Sequence, residues 1–258
     1  MSRRLIASVG IEKRKELSKG LVKALGLLLV AGFSFGLAAS DATNKEPYMI
    51  GTAYKPGTEE VLYVEKYYWL TDFLSLVEYY DKEDEILARK TINYSQKKNF
   101  SPDILIEDYR LKRRVSVMHG PDKCQLVVED ANTKKLIDSA THPAENHEVT
   151  DAGFDNYLRA QWRFLETGKA AKFSFLMTDE DKIVALKARQ RSCESQSGQG
   201  DSICFRISPA NWFVSALAPP IDVEYDAKAR KLLRYEGIGL LRDINGISLK
   251  VDLRYHYL

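Results

Sequence analysis

The sequence predicts a mainly β (β-rich α+β) domain, built as a curved antiparallel sheet or half-barrel with two helices on its concave face. Three observations carry this. Short β-branched and aromatic runs, bounded by Pro, Gly, Asp and Asn, follow one another along most of the chain. Several of them, such as VLYVEKYYWL, are apolar on both faces and need cover. A meander this long twists, and must curl or close. The cover is supplied by VTDAGFDNYLRAQWRFLETG, whose apolar residues recur at helical spacing.

The 258 residues are 45% hydrophobic and 29% charged, which is enough to bury one large core. Residues 1–40 stand apart. MSRRLIASVGIEKRKELSKGLVK is basic, Ala24–Ala38 is apolar and uncharged, and small residues follow before Asp41. This is the layout of a secretory signal peptide, cleaved after Ala38 or Ser40. The alternative is an uncleaved anchor in the inner membrane through residues 24–38, although the run is short for a span. Seven of the 38 Lys/Arg and two of the 36 Asp/Glu lie in this segment, so the remainder carries 31 and 34, a net of −3. The basic character therefore belongs to the targeting segment. A nucleic-acid partner is not expected, because a basic stripe with interleaved aromatics is missing. Residues 41–258 read as a single β-rich domain in the periplasm.

The elements follow in order. EVLYVEKYYWL and LSLVEYY read as strands, DKED as a turn and EILARKTINYS as the next strand. DILIEDYRL, RRVSVMH, CQLVVED and KKLIDSA continue the series. THPAENHEVT breaks it. The helix then starts with Thr150 or Asp151 as cap and ends at Gly168, with Phe154, Tyr157, Leu158, Trp162 and Leu165 on one face. AKFSFLM, KIVALKARQRSC and SICFRIS return to strand. SPANWFVSALAPP reads as a second short helix, capped by Ser208 and stopped by Pro219-Pro220. The chain ends in a hairpin about Asn245-Gly246, a dipeptide favouring a type I′ turn. Ile247, Leu249, Val251, Leu253 and Tyr255 share one face of its last strand.

Cys193 and Cys204 flank a polar Gly/Ser loop, and in an exported chain they are expected to pair. Cys124 is left over and reads as a buried, inert thiol on the face of Leu126 and Val128.

VEYYDKEDEILARKTINYSQKKNFSPDILIEDYR, DAGFDNYLRAQWRFLETGKAAKFSFLM and LLRYEGIGLLRDINGISLKVDLRYHY together resemble a family of exported Gram-negative bacterial proteins of unknown function. The resemblance implies export and brings no catalytic residues. The architecture is also similar to the half-barrels of periplasmic lipoprotein carriers, a likeness of fold alone.

Chemistry-bearing motifs are sparse. His142, Glu145 and His147 in HPAENH have metal-ligand side chains, but their spacing does not place two histidines on one helix face, and a solvated loop is expected. Acidic DKEDE reads as a turn, and His119 has no local partner pattern. Neither a nucleophile elbow nor a phosphate-binding glycine motif occurs. No catalytic residue, metal or cofactor is therefore expected. The expected activity is non-covalent binding of an apolar ligand, a lipid or acyl chain, in a groove lined by Phe154, Leu158, Trp162, Trp212 and Phe213. The alternative is a structural or assembly protein that docks an envelope partner. A metal-dependent hydrolase using the His142–His147 loop comes third.

Overall fold

The structure, a computed structural model, describes residues 45–95, 100–178, 181–193, 201–211 and 219–258. The signal region, Trp212 and Phe213 lie outside these. The strands are β1 (Met49–Tyr54), β2 (Val61–Trp69), β3 (Leu74–Tyr80), β4 (Ile86–Asn93), β5 (Asp103–Asp108), β6 (Arg113–His119), β7 (Lys123–Asp130) and β8 (Leu136–Pro143). After a single 3-10 turn, Ala144–Asn146, come β9 (Val149–Thr150) and helices α1 (Gly153–Ala160) and α2 (Trp162–Glu166). The chain then forms β10 (Ala171–Met177), β11 (Lys182–Arg191), β12 (Ser202–Pro209), β13 (Ile221–Asp226), β14 (Leu232–Arg242) and β15 (Ser248–Tyr257).

All fifteen form one sheet, in the order β8-β7-β6-β5-β4-β3-β2-β1-β15-β14-β13-β12-β11-β10-β9. Two meanders thus meet along β1 and β15, and β8 and β9 are the two outer strands. Pairing is antiparallel except between β9 and β10. Topology alone forces this sheet to roll. Laid flat, fifteen strands at about 4.8 Å spacing would be about 67 Å wide. The link from Pro143 to Val149 reaches only about 21 Å when fully extended. The two outer strands must therefore lie close together.

Side-chain parity shows how they meet. On β10, Ala171 and Phe173 pack with the helices, while Leu176, of opposite parity, joins Ile104, Ile106, Val115, Val117 and Leu126 of β5–β7. The β9–β10 end is thus tucked between the helices and the inner face of β5–β7. Thr150 N donates to Phe100 O and Ser101 Oγ to Glu148 O, both at 2.9 Å, which fastens this lap joint.

The stretch expected as one helix is divided. Val149 and Thr150 form β9, and the helix breaks at Gln161 into α1 and α2. Neither Thr150 nor Asp151 caps it: Ala152 stands at the N-cap, with no side-chain hydrogen bond. Asp151 instead pairs with Lys90 at 2.5 Å, each largely buried, and this holds its backbone at φ 38°. A shielded ion pair has taken the carboxylate that a local cap would have used. Gly168 does end the helix, at φ 77°.

Gly153 is required by contact. A Cβ there would stand 1.9 Å from the Phe100 carbonyl oxygen, within the lap joint. Gly153→Ala must push α1 off residue 100 and is expected to cost about 2 kcal/mol. A denaturant midpoint unchanged from wild type would contradict this contact.

The second predicted helix does not begin where expected, since Ser208 and Pro209 belong to β12. The remainder, residues 212–218, lies outside the described residues. The final hairpin forms, but its turn is not type I′. Only Gly246 has positive φ (79°), and Asp243 accepts from the backbone of Asn245 and Ile247, which sets a wider loop. Cys193 and Cys204 are bonded, and Cys124 is buried and in no disulfide.

Candidate functional site

The residues expected to line a groove are distributed unevenly. Leu158 and Trp162 are fully buried, with Trp162 only 1% exposed. The Trp162 indole meets Phe205 and Tyr225 edge-on, with centroids at 5.3 and 5.5 Å, and its N–H donates to Glu166 Oε1 at 2.9 Å. Phe154 is half-buried against Phe173 and Phe175. Leu158 and Trp162 are thus parts of a filled aromatic core. Trp212 and Phe213 lie outside the described residues.

Beside this core lies a buried polar layer that the sequence pattern hides. Tyr255, Gly51, Glu65, Tyr79 and Ala88 fall on one register line across β15, β1, β2, β3 and β4. A Cβ at Gly51 would press on the Tyr255 ring at 2.9 Å, so the glycine makes room for it. Glu65 accepts a short hydrogen bond from the Tyr67 hydroxyl. Burial pushes the Glu65 carboxyl up to about 7, against the opposing effects of the Tyr67 bond and of Lys90. Burial likewise raises Tyr63, Tyr67, Tyr79 and Tyr255 well above the ordinary phenol value. These hydroxyls stay neutral. The layer is therefore a set of fixed dipoles around one carboxyl that changes charge near neutrality.

The third feature is the lap joint. HPAENH does not form one site: Glu145 is exposed, His142 Nε2 lies 2.6 Å from Asp181 Oδ1, and His147 turns into the protein. There His147 Nε2 is 3.2 Å from Nε2 of His119, at the end of β6. Cys124 lies opposite His119 on β7, and all three residues are buried. Asp103, the first residue of β5, accepts from the His119 backbone N–H at 2.7 Å, and its Oδ1 is 3.4 Å from His119 Nδ1. Sequence reading missed His119 and Cys124. The local signal was the Gly120–Asp122 turn, which sets them opposite one another, whereas His147 arrives only through the rolling of the sheet. Next to the joint, Arg113, Leu126, Val128, Ile137, Asp138 and Thr178 line a cleft of about 200 Å³ that reaches Asp181.

Among the described residues no helix is long and apolar enough to cross a membrane, which says nothing about strands. No family model and no curated protein matches the chain. It is similar to a crystal structure described as a beta-barrel-like protein of domain of unknown function DUF1849 from Brucella abortus. That likeness has a TM-score of 0.42 at 9% identity, over 81% of this chain and 96% of the other.

Proposed function

We propose that this chain is an exported, non-enzymatic envelope protein that docks a partner along strand β8. Export is supported by the basic, apolar and small-residue order of the first forty residues. Docking is supported by one observation above all. β8 is an outer strand of the sheet, exposed on both faces from Leu136 to Ser139, and it presents Leu136 and Ile137 at 57% and 61% exposure. An outer strand offers main-chain donors and acceptors to a further strand. The partner that fits is an extended segment with apolar side chains, added edge to edge. The filled core around Trp162 favours this reading over a carrier that encloses a lipid.

The test is a photo-crosslinking residue at Ser139 in cells. One envelope protein is expected in the adduct, joined through an extended segment, and Ile137→Glu should reduce the adduct at least tenfold with unchanged melting. An adduct that Ile137→Glu leaves unchanged, or no adduct at all, rejects docking here.

A second reading, a small apolar ligand, is favoured by the cleft beside β8, whose wall includes Leu126, Val128 and Ile137. Its pocket is below the usual size of drug-like sites. Saturable one-to-one binding of a fluorescent fatty acid, weakened by Ile137→Glu, would establish it in place of docking.

A further inference from the structure

We infer that His119, Cys124 and His147 form a zinc site that staples the lap joint of the sheet. The three side chains come from β6, β7 and the segment entering β9, and their ligand atoms all lie within 4.8 Å of one another. Each residue is more than nine-tenths buried. Two imidazoles and a thiolate are the donor set of a borderline-soft, four-coordinate cation.

The geometry fits zinc more closely than the composition alone requires. Two Zn–N bonds of about 2.05 Å at a tetrahedral angle place their nitrogens about 3.3 Å apart. The two Nε2 atoms are 3.2 Å apart. With a Zn–S bond of about 2.3 Å, each nitrogen would be about 3.6 Å from the sulfur; the ligand atoms lie within 4.8 Å of one another, so the thiol closes in by about 1.2 Å at most. The outer contacts fit as well. A ligating imidazole commonly turns its other ring nitrogen to a carboxylate. His119 Nδ1 is buried, makes no hydrogen bond among the described residues, and faces Asp103 Oδ1 at 3.4 Å. Asp103 is itself oriented by accepting from the His119 backbone. Thr150 Oγ1 lies 3.4 Å from His119 Nε2 and adds a polar atom beside the three donors. Binding releases the thiol proton, and the zinc–thiolate then joins β6 and β7, near one end of the strand order, to the segment entering β9 at the other. A buried site of this kind stabilises by being absent from the unfolded chain. The bland alternative is a hydrogen-bonded histidine pair beside a thiol.

Cobalt separates the two. The full chain, made without a histidine tag, is freed of metal by chelator and titrated with Co²⁺. One equivalent should give tetrahedral visible bands and a near-ultraviolet thiolate-to-cobalt band, and one equivalent of Zn²⁺ should abolish both. Zn²⁺ should also raise the melting temperature, and chelator should reverse this. Cys124→Ser should remove the thiolate band and weaken Zn²⁺ binding at least a hundredfold. Asp103→Asn should weaken it roughly 10–100-fold, as expected of an orienting partner. Wild-type protein that shows no thiolate band overturns the site whatever the variants do. So does a band that persists in folded Cys124→Ser.

Discussion

Trp162→Ala is expected to lower stability by about 4 kcal/mol, within the range for emptying an aromatic site in a core. The indole is buried among Leu158, Phe205 and Tyr225 and has Arg230 over its ring at 5.2 Å. Three sources add together. The variant loses the transfer of a large apolar surface, leaves a cavity that the rigid strands around Phe205 cannot fill, and strips Glu166 of its indole donor. Phe154→Ala provides the contrast on the same helical face. That ring is only partly buried, so its loss should be nearer 1 kcal/mol. Urea midpoints for both variants decide the matter. A Trp162→Ala loss as small as that of Phe154→Ala would mean that the indole faces space, and would return the helix face to the groove reading.

The sequence carried most of the fold because most of the fold is local. Alternating runs gave the strands, and the spacing of Tyr157, Leu158, Trp162 and Leu165 gave the buried helical face. What it did not carry is set by the rolling of the sheet. Asp151 looks like a cap until Lys90 is brought to it from β4. His147 looks like part of a solvated loop until β9 is tucked under β6. Glu65 sits in a strand where its charge reads as solvent-facing, yet Tyr63 and Tyr67 of its own strand, Tyr79 of β3 and Tyr255 of β15 surround it. The short stretch between β8 and the helix was visible in the sequence, but that Val149 and Thr150 form an outer strand there was not; the length of the link requires the two outer strands to meet. Using it needed the strand order, which pairing across β1 and β15 determines over some two hundred residues.

Glu65→Gln is expected to remove a pH dependence worth about 3 kcal/mol. The folded carboxyl titrates at about 7, against 4.5 for the free side chain. The folded state therefore holds a proton that the unfolded state has released across this interval. Its stability must fall as pH rises from about 4.5 to 7, then level off. A separation of about 2.5 units corresponds to roughly 3 kcal/mol. Asp155, also raised by burial, contributes in the same direction at the acid side of the range, so the wild-type slope alone is not diagnostic. The difference between wild type and Glu65→Gln is. Glutamine keeps the shape and an oxygen for the Tyr67 hydroxyl, but it carries no charge at any pH. The variant should lie close to wild type or slightly below it at pH 5, and above it by about 2–3 kcal/mol at pH 8. Denaturant titrations at the two pH values test this. Parallel profiles would show that Glu65 is solvated or paired well enough to ionise normally, and would remove it from the buried polar layer.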